Sequence, residues 1–310
     1  MNTLITGAAG FIGSHLANRL LKENNSVICL DNFSDYYNPN LKEDNIKDIL
    51  DNENFQLVRG DILNQNLLLK TIKDNSVEYV FHLAAQPGVR FSVQYPEITN
   101  KINVEGTLNV LNAALKSDIK KLIFASSSSI FGKNKRLPID ENHPTEPISP
   151  YGVSKLAAEK YCNVFRDISG LNITILRYFT VYGPRMRPDL GISIFFKKAL
   201  SNDKIEIFGT GDQTRDFTYI DDAIDATLLA CKKGKDVYNI GGGKRTDINS
   251  LISQIKKITN SKSEIIHSNF RKGEMKNTLA DITKAKNELK WSPKTKIEDG
   301  LKLYFKWLTG

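Results

Sequence analysis

Cysteine is scarce in this sequence: Cys29, Cys162 and Cys231 are the only ones. They are odd in number, far apart and set in apolar runs, which supports neither a disulfide framework nor a metal knuckle. They are expected to be reduced packing residues. No grouping of His, Cys and carboxylates points to a metal, so none is expected. No apolar run approaches the roughly 20 residues that span a bilayer. The first expected strand starts directly after Met1, which leaves no room for a secretory leader, so a cytoplasmic chain with no membrane partner is the expectation. Internal repeats and low-complexity tracts are also missing. Positive charge does prevail, at a formal net +8. The lysines, however, are scattered along amphipathic stretches such as KSDIKK and ACKKGKD, the pattern of a solvated surface rather than of a nucleic-acid footprint.

What is present describes a folded α/β protein. At 310 residues, 40% hydrophobic and 25% charged, the chain is long enough for a large body and a smaller lobe. Short apolar runs, TLIT, SVICL, FQLV, VEYVFHLA, KLIFAS and NITILR, alternate with segments of helical spacing such as Ile12, Leu16 and Leu20, or Ile102, Leu108, Leu111 and Leu115. That alternation predicts a doubly wound parallel Rossmann sheet covered on both faces. After Arg177 the alternation gives way to loops rich in Gly, Pro, Arg and Asp, and DVYNIGG reads as a late strand returning to the sheet. The expected division is therefore discontinuous. Residues 1–177 with roughly 217–243 form a dinucleotide-binding domain, and roughly 178–216 with 244–310 form a smaller C-terminal substrate-binding lobe.

The first chemical signal is LITGAAGFIGSHLANRL. Gly7, Gly10 and Gly13 fall at a strand-to-helix turn, where missing β-carbons allow a tight bend, close approach of a pyrophosphate and close helix–strand packing. The helix N-terminus then faces negative charge. Asp31, at the end of the second expected strand, suits hydrogen bonds from the adenosine ribose hydroxyls and repels a 2′-phosphate, so NAD is expected over NADP. Asp61 and Ile62 in RGDIL, and Ala84 and Ala85 in HLAAQPGV, fall at the carboxyl ends of the third and fourth strands, the crevice where open α/β sheets bind ligands. Packing or turn chemistry is the competing reading for each alone. His82 reads as a satisfied core histidine.

The second signal is SPYGVSKLAAEKY, in which Tyr151 and Lys155 share one helix face. An ammonium beside a phenol, with a positive nicotinamide near, favours the phenolate and lowers the Tyr pKa, making Tyr151 a general base and acid.

Together with SSSS, RYFTVYGP, TRDFTYIDD and the late RKGE, these motifs resemble the extended short-chain dehydrogenase/reductase family of nucleotide-sugar epimerases and dehydratases over nearly the whole length. The resemblance implies that Ser127, Tyr151 and Lys155 form the catalytic set, and that Lys155, Phe11, Ile12, Asn32 and Tyr178 join the cofactor contacts. For Asn103 it implies a structural or cofactor-supporting role, with helix capping as the other reading. It also implies a homodimer built on the helices carrying Asn103 to Leu115 and Tyr151 to Phe165, which are apolar on more than one face.

The resemblance also bears on the reaction. Family members that dehydrate or decarboxylate a 4-keto sugar carry an acid within two positions of the catalytic Ser or Thr, because expelling a group needs another proton donor and acceptor. Here those positions are Ser128 and Ser129. What remains after hydride removal is hydride return, so a UDP-sugar 4-epimerase passing through a transient 4-keto intermediate is the leading expectation. Its alternatives are a dehydratase, a decarboxylase, a reductase that releases NADH, and an NAD-sensing binding protein without activity.

The sugar turns on the loop RYFTVYGPRMRPD, where Arg185 and Arg187 carry guanidinium forks suited to a carboxylate. Phosphate binding or solvation is the competing reading. This loop, DNFSDYYNPNLKEDNI and AAQPGVRFS resemble the UDP-glucuronate 4-epimerases of that family. The resemblance assigns the uronate carboxylate to Arg187 with Thr180, with Arg90 and Ser128 as further substrate contacts. UDP-glucose or UDP-N-acetylglucosamine is the alternative substrate. Arg215 and Arg271 match positions that clamp the nucleotide phosphates, with surface solvation the rival for Arg271. Phe208 is read as a contact to the base or as core packing.

Overall fold

The computed structural model describes residues 1–269 and 275–310. In chain order the strands are β1 (Asn2–Thr6), β2 (Ser26–Asp31), β3 (Phe55–Arg59), β4 (Tyr79–His82), β5 (Lys121–Ser127), β6 (Ile173–Tyr178), β7 (Thr180–Tyr182), β8 (Ile205–Phe208), β9 (Thr214–Tyr219), β10 (Val237–Ile240), β11 (Arg245–Asp247) and β12 (Ile265–Ser268). The helices are α1 (Phe11–Lys22), α2 (Asn40–Ile46), α3 (Gln65–Asp74), α4 (Val89–Gln94), α5 (Pro96–Asn100), α6 (Gly106–Leu115), α7 (Pro150–Ser169), α8 (Gly191–Leu200), α9 (Ile220–Lys233), α10 (Ile248–Thr259) and α11 (Ile297–Thr309).

Seven strands form one sheet in the order β10-β6-β5-β4-β1-β2-β3, every pair parallel. Central strands are apolar at consecutive positions because both faces are covered: β6, ITILRY, is buried throughout. Strand order reverses between β1 and β4, which opens a crevice at their carboxyl ends. The expected late strand is β10, which joins β6 at the sheet edge. The region after Arg177 is more regular than its composition suggests, because α8 and α9 bury one apolar face each. One lysine of KSDIKK also departs from the solvated pattern: Lys121 is buried and donates to the Gly234 carbonyl.

α7 is defined by local chemistry at both ends. Ser149 caps it by accepting from the Gly152 N–H at 3.2 Å, Pro150 occupies the first turn, and Gly170 ends it in a left-handed conformation at φ 67°. A buried ion pair fastens its middle to the sheet. Glu159 takes the Arg177 fork, with Nη2 to Oε2 at 2.9 Å and Nε to Oε1 at 3.1 Å, and also accepts from Ser126. The remaining Arg177 Nη1 donates to the Glu141 carbonyl at 2.8 Å.

Asp216 on β9 ties distant segments together. Its carboxylate accepts from Gly242 N at 2.6 Å, Gly243 N at 3.2 Å and Ala280 N at 2.9 Å. Burial pushes its carboxyl up to about 6 against the pull of those donors.

His82 is the satisfied core histidine that its apolar strand suggests, with Nδ1 at 2.8 Å from Thr6 Oγ1 and Nε2 at 3.0 Å from Thr107 Oγ1. Burial, aided by the charge of Lys155, lowers its pKa to about 3 from 6.5. The unfolded chain therefore takes a proton that the folded chain refuses. This contribution to stability is complete above pH 6.5 and is lost as pH falls from there toward 3, at about 1.4 kcal/mol per pH unit. Urea unfolding midpoints between pH 7 and 4.5 should fall more steeply for the native chain than for a His82→Asn chain; equal slopes contradict the assignment.

Candidate active site

A cleft of about 570 Å³ lies along the carboxyl ends of the sheet. It begins at the turn between β1 and α1. Gly13 packs so closely there that a β-carbon would stand 2.2 Å from the Gly7 carbonyl oxygen, and Gly7 itself has φ +73° against Ala84. No side chain caps α1 at Gly10 and its first turn carries no acid, so its leading N–H groups are left to an anion. Asp31 ends β2 with Oδ2 accepting from Ala9 N at 3.1 Å and Oδ1 from Phe33 N at 2.9 Å. These features fit the dinucleotide that the glycine pattern predicts. Phe11, Ile12, Asn32, Asp61, Ile62, Ala84, Ala85 and Tyr178 all line the same cleft. Asn32 joins the ends of β2 and β3 by donating to Asp61 at 2.9 Å. The Tyr178 phenol is hydrogen-bonded at 2.6 Å to Thr227 of α9.

Ser127, Ser128, Tyr151 and Lys155 meet on the opposite wall. Gly152 makes this possible: a β-carbon there would stand 2.5 Å from the Ser129 carbonyl, so only glycine lets α7 start against the serine run. Ser127 accepts from Ser129 N at 3.1 Å and donates to Ser129 Oγ at 3.1 Å, and it acts on the Tyr151 phenol to lower its pKa. Among the protein's own groups, burial raises the Tyr151 pKa, and the opposing charge is that of Arg187 rather than of Lys155, with Ser127 helping. Lys155 is itself deprived of water, and burial lowers its pKa to about 8.

Asn103 is not a helix cap. It sits in a π-helical turn, Lys101–Glu105, that leads into α6. Its amide accepts from Gln86 N at 2.7 Å and donates to Gln86 O at 3.1 Å and Ser154 Oγ at 2.9 Å. It thereby joins the loop after β4 to α7; such single-turn bulges are a known means of re-aiming a residue.

Thr180, Arg90, Arg187 and Arg215 also line the cleft. Arg215 donates to the Thr214 and Lys276 carbonyls at 3.0 and 3.1 Å. Arg185 does not reach the cleft. Its backbone is left-handed at φ 63°, and the turn sends its side chain toward Asp48 and His15, whose Nε2 meets the preceding Pro184 carbonyl at 2.9 Å. Alternation along an irregular loop could not tell Arg185 from Arg187. Arg271 lies outside the described residues. Phe208 is half-buried at the end of β8, apart from the cleft lining.

Four polar lining residues stand out among those the sequence reading missed. Lys42 of α2 is buried beside Asp31, 3.6 Å from Oδ1, and donates to Ser34 Oγ at 3.1 Å. Tyr36 and Tyr37 come from the loop after β2, and Asp189 holds Arg187. A lysine one turn into a helix after DNFSDYYNP carries no signal of where the loop will fold it. Among the described residues no group of three or more His, Cys, Asp or Glu is arranged to hold a metal, and no helix is long and apolar enough to cross a membrane.

Asn103→Ala should cost about 2–3 kcal/mol, since it leaves the buried Gln86 N–H without its acceptor. Urea unfolding checks it, and a change within 0.5 kcal/mol contradicts the tether, the ~0.5 marking an ordinary surface substitution.

The GDP-mannose 4,6 dehydratase family model matches residues 4–304. The chain is 41% identical over 98% of its length to a putative UDP-glucose 4-epimerase of Methanocaldococcus jannaschii, covering 97% of that protein. It is 40% identical over 98% of its length to a UDP-glucuronate 4-epimerase of Thermodesulfobacterium geofontis, covering 95% of it. The crystal structure of UDP-glucuronic acid 4-epimerase from Bacillus cereus in complex with UDP-glucuronic acid and NAD superposes with a TM-score of 0.95 at 41% identity, over 100% of this chain and 99% of that one. With the glycine turn, the parallel sheet and a family model spanning nearly all of it, the chain belongs to the extended short-chain dehydrogenases/reductases, in the GDP-mannose 4,6 dehydratase family of nucleotide-sugar epimerases and dehydratases.

Proposed function

We propose that this protein is an NAD-dependent UDP-sugar 4-epimerase, an isomerase, and that its sugar is UDP-glucuronate, interconverted with UDP-galacturonate. Relatives named as 4-epimerases of UDP-glucose and of UDP-glucuronate support the first part equally. The observation that carries the second is Arg187, a cation in the cleft wall whose charge reaches Tyr151.

NAD, when bound, supplies a reversible hydride acceptor for carbon 4 of the sugar. The glycine turn, Asp31 and Asn32 would hold it, with Lys42 buried beside Asp31 as a further contact. Tyr151 takes the proton of the sugar 4-hydroxyl and returns it, while Ser127 hydrogen-bonds the same oxygen. Ser128 and Ser129 bring no carboxylate to this point. Among the described residues the acids that line the cleft are Asp31 and Asp61 at the ends of β2 and β3, and Asp189, which is paired with Arg187. Tyr151 is the proton carrier in this reading, and a hydride returned to the opposite face of the ring would invert carbon 4. Arg90, Thr180 and Ser128 complete the sugar pocket, and Arg215 serves the diphosphate. Residues 1–177 with about 217–243 act as the dinucleotide-binding part, and the remaining segments as the substrate-binding part.

Proton NMR of UDP-glucuronate with purified protein and catalytic NAD should show UDP-galacturonate and no pentose. Conversion of UDP-glucose alone keeps the mechanism and overturns the sugar; a pentose product overturns the epimerase. Tyr151→Phe should lower kcat by about 10²- to 10⁴-fold. Arg187→Ala should weaken uronate binding by about 10- to 100-fold, the worth of a charge-assisted hydrogen bond.

A homodimer through α7 is the second part of the reading. Val153, Tyr161, Val164 and Ile168 are exposed along α7 at 54, 40, 47 and 82%, beside exposed Val93, Tyr95 and Ile98 of the α4–α5 region. Val164→Glu combined with Ile168→Glu should turn a dimer into a monomer in sedimentation velocity. A native chain that sediments as a monomer refutes this part.

A further inference from the structure

Arg187 and Asp189 flank Pro188 in the turn that follows β7, and their side chains form a two-bond clamp. Nε meets Oδ1 at 2.9 Å and Nη2 meets Oδ2 at 3.1 Å. The same Oδ2 accepts from the Tyr36 hydroxyl at 3.0 Å, and the guanidinium stands 5.9 Å from the centre of the Tyr36 ring. Tyr36 is in turn held edge-on to Phe91 of α4 at 5.3 Å. Arg187, Asp189 and Tyr36 all line the cleft. The arginine is the more sheltered of the pair, at 19% side-chain exposure against 36% for the aspartate.

This arrangement has two electrostatic consequences. A guanidinium presents a second edge, so a sugar carboxylate can still reach Arg187, but it meets a charge already compensated and a like charge one arginine-width away. A sugar without a carboxylate, conversely, would leave a sheltered arginine uncompensated if Asp189 were neutral. The counter-charge thus lowers the advantage of an acidic sugar and removes the penalty for a neutral one. Resting on the assignment of Arg187 to the uronate carboxylate, we propose that Asp189 is a specificity-determining residue: an internal carboxylate, oriented by Tyr36, that sets how strongly the site prefers a uronate over the corresponding neutral hexose.

The test is calorimetric binding of UDP-glucuronate, UDP-glucose and UDP to the full chain with NAD, in the native protein, Asp189→Asn, Asp189→Ser and Tyr36→Phe. Asparagine keeps the shape and one acceptor while deleting the charge. The ratio of uronate to hexose affinity should rise about tenfold in Asp189→Asn, the size of one screened like charge a few ångströms away. UDP affinity should stay within about twofold, and Tyr36→Phe should leave the ratio within about threefold, since the Asp189 charge stays beside Arg187 through its two bonds to the fork. Asp189→Ser repeats the measurement if the asparagine chain folds poorly. A ratio that is unchanged or shifts toward the hexose in both neutral variants overturns the proposal. Binding also separates the two readings: a native chain that binds but does not epimerise UDP-glucuronate refutes the proposed function, while the shift in ratio still decides the role of Asp189.

Discussion

The buried pair of Glu159 and Arg177 decides where the helix carrying Tyr151 and Lys155 can lie. A carboxylate and a guanidinium removed from water tolerate only the geometry in which every lone pair and N–H is matched, and here Ser126, the Glu141 carbonyl and the fork itself match them. Because Ser126 and Arg177 each lie one residue before the end of β5 and β6, the pair locks α7 to the two strands whose tips carry Ser127 and Tyr178. Such a pair need not add stability over an apolar contact; its value is that it admits one register. Asn103 performs a complementary task on the other flank by holding α7, through Ser154, to the loop after β4. The helix that carries Tyr151 is therefore held from two sides by buried polar groups.

The chemistry of the wall follows from the same dryness. Burial raises the Tyr151 pKa and lowers that of Lys155. The charge of Arg187 opposes that rise on the phenol, and its own fork is paired with Asp189.

Much of this was legible in the sequence, and the division between what was and was not has a physical basis. The glycine turn, the Tyr–Lys spacing and the seven strands are local: their meaning lies in neighbours three or four residues away or in a period of two. Arg185 was misplaced because a left-handed residue inside the turn rotates alternate side chains away from any simple alternation. Lys42, Tyr36 and Asp189 could not be found, because each acquires its role only when a loop from one strand folds onto the end of another. For Tyr151, spacing reveals a nearby lysine but says nothing of how much water is left.

Asp216 shows a different consequence of distance along the chain. Its three donors lie 26, 27 and 64 residues downstream, on two separate segments. A buried carboxylate on β9 thus lacks its last donor until the chain has run on to Ala280, well past the last strand of the main sheet. Closing such loops costs entropy before any contact rewards it, and segments joined this way form late and slowly. Arg215, the neighbour of Asp216 and part of the cleft lining, therefore has its full surroundings only after residue 280 has emerged. The nascent chain can complete the first six strands of its main sheet long before this wall of the cleft is in place.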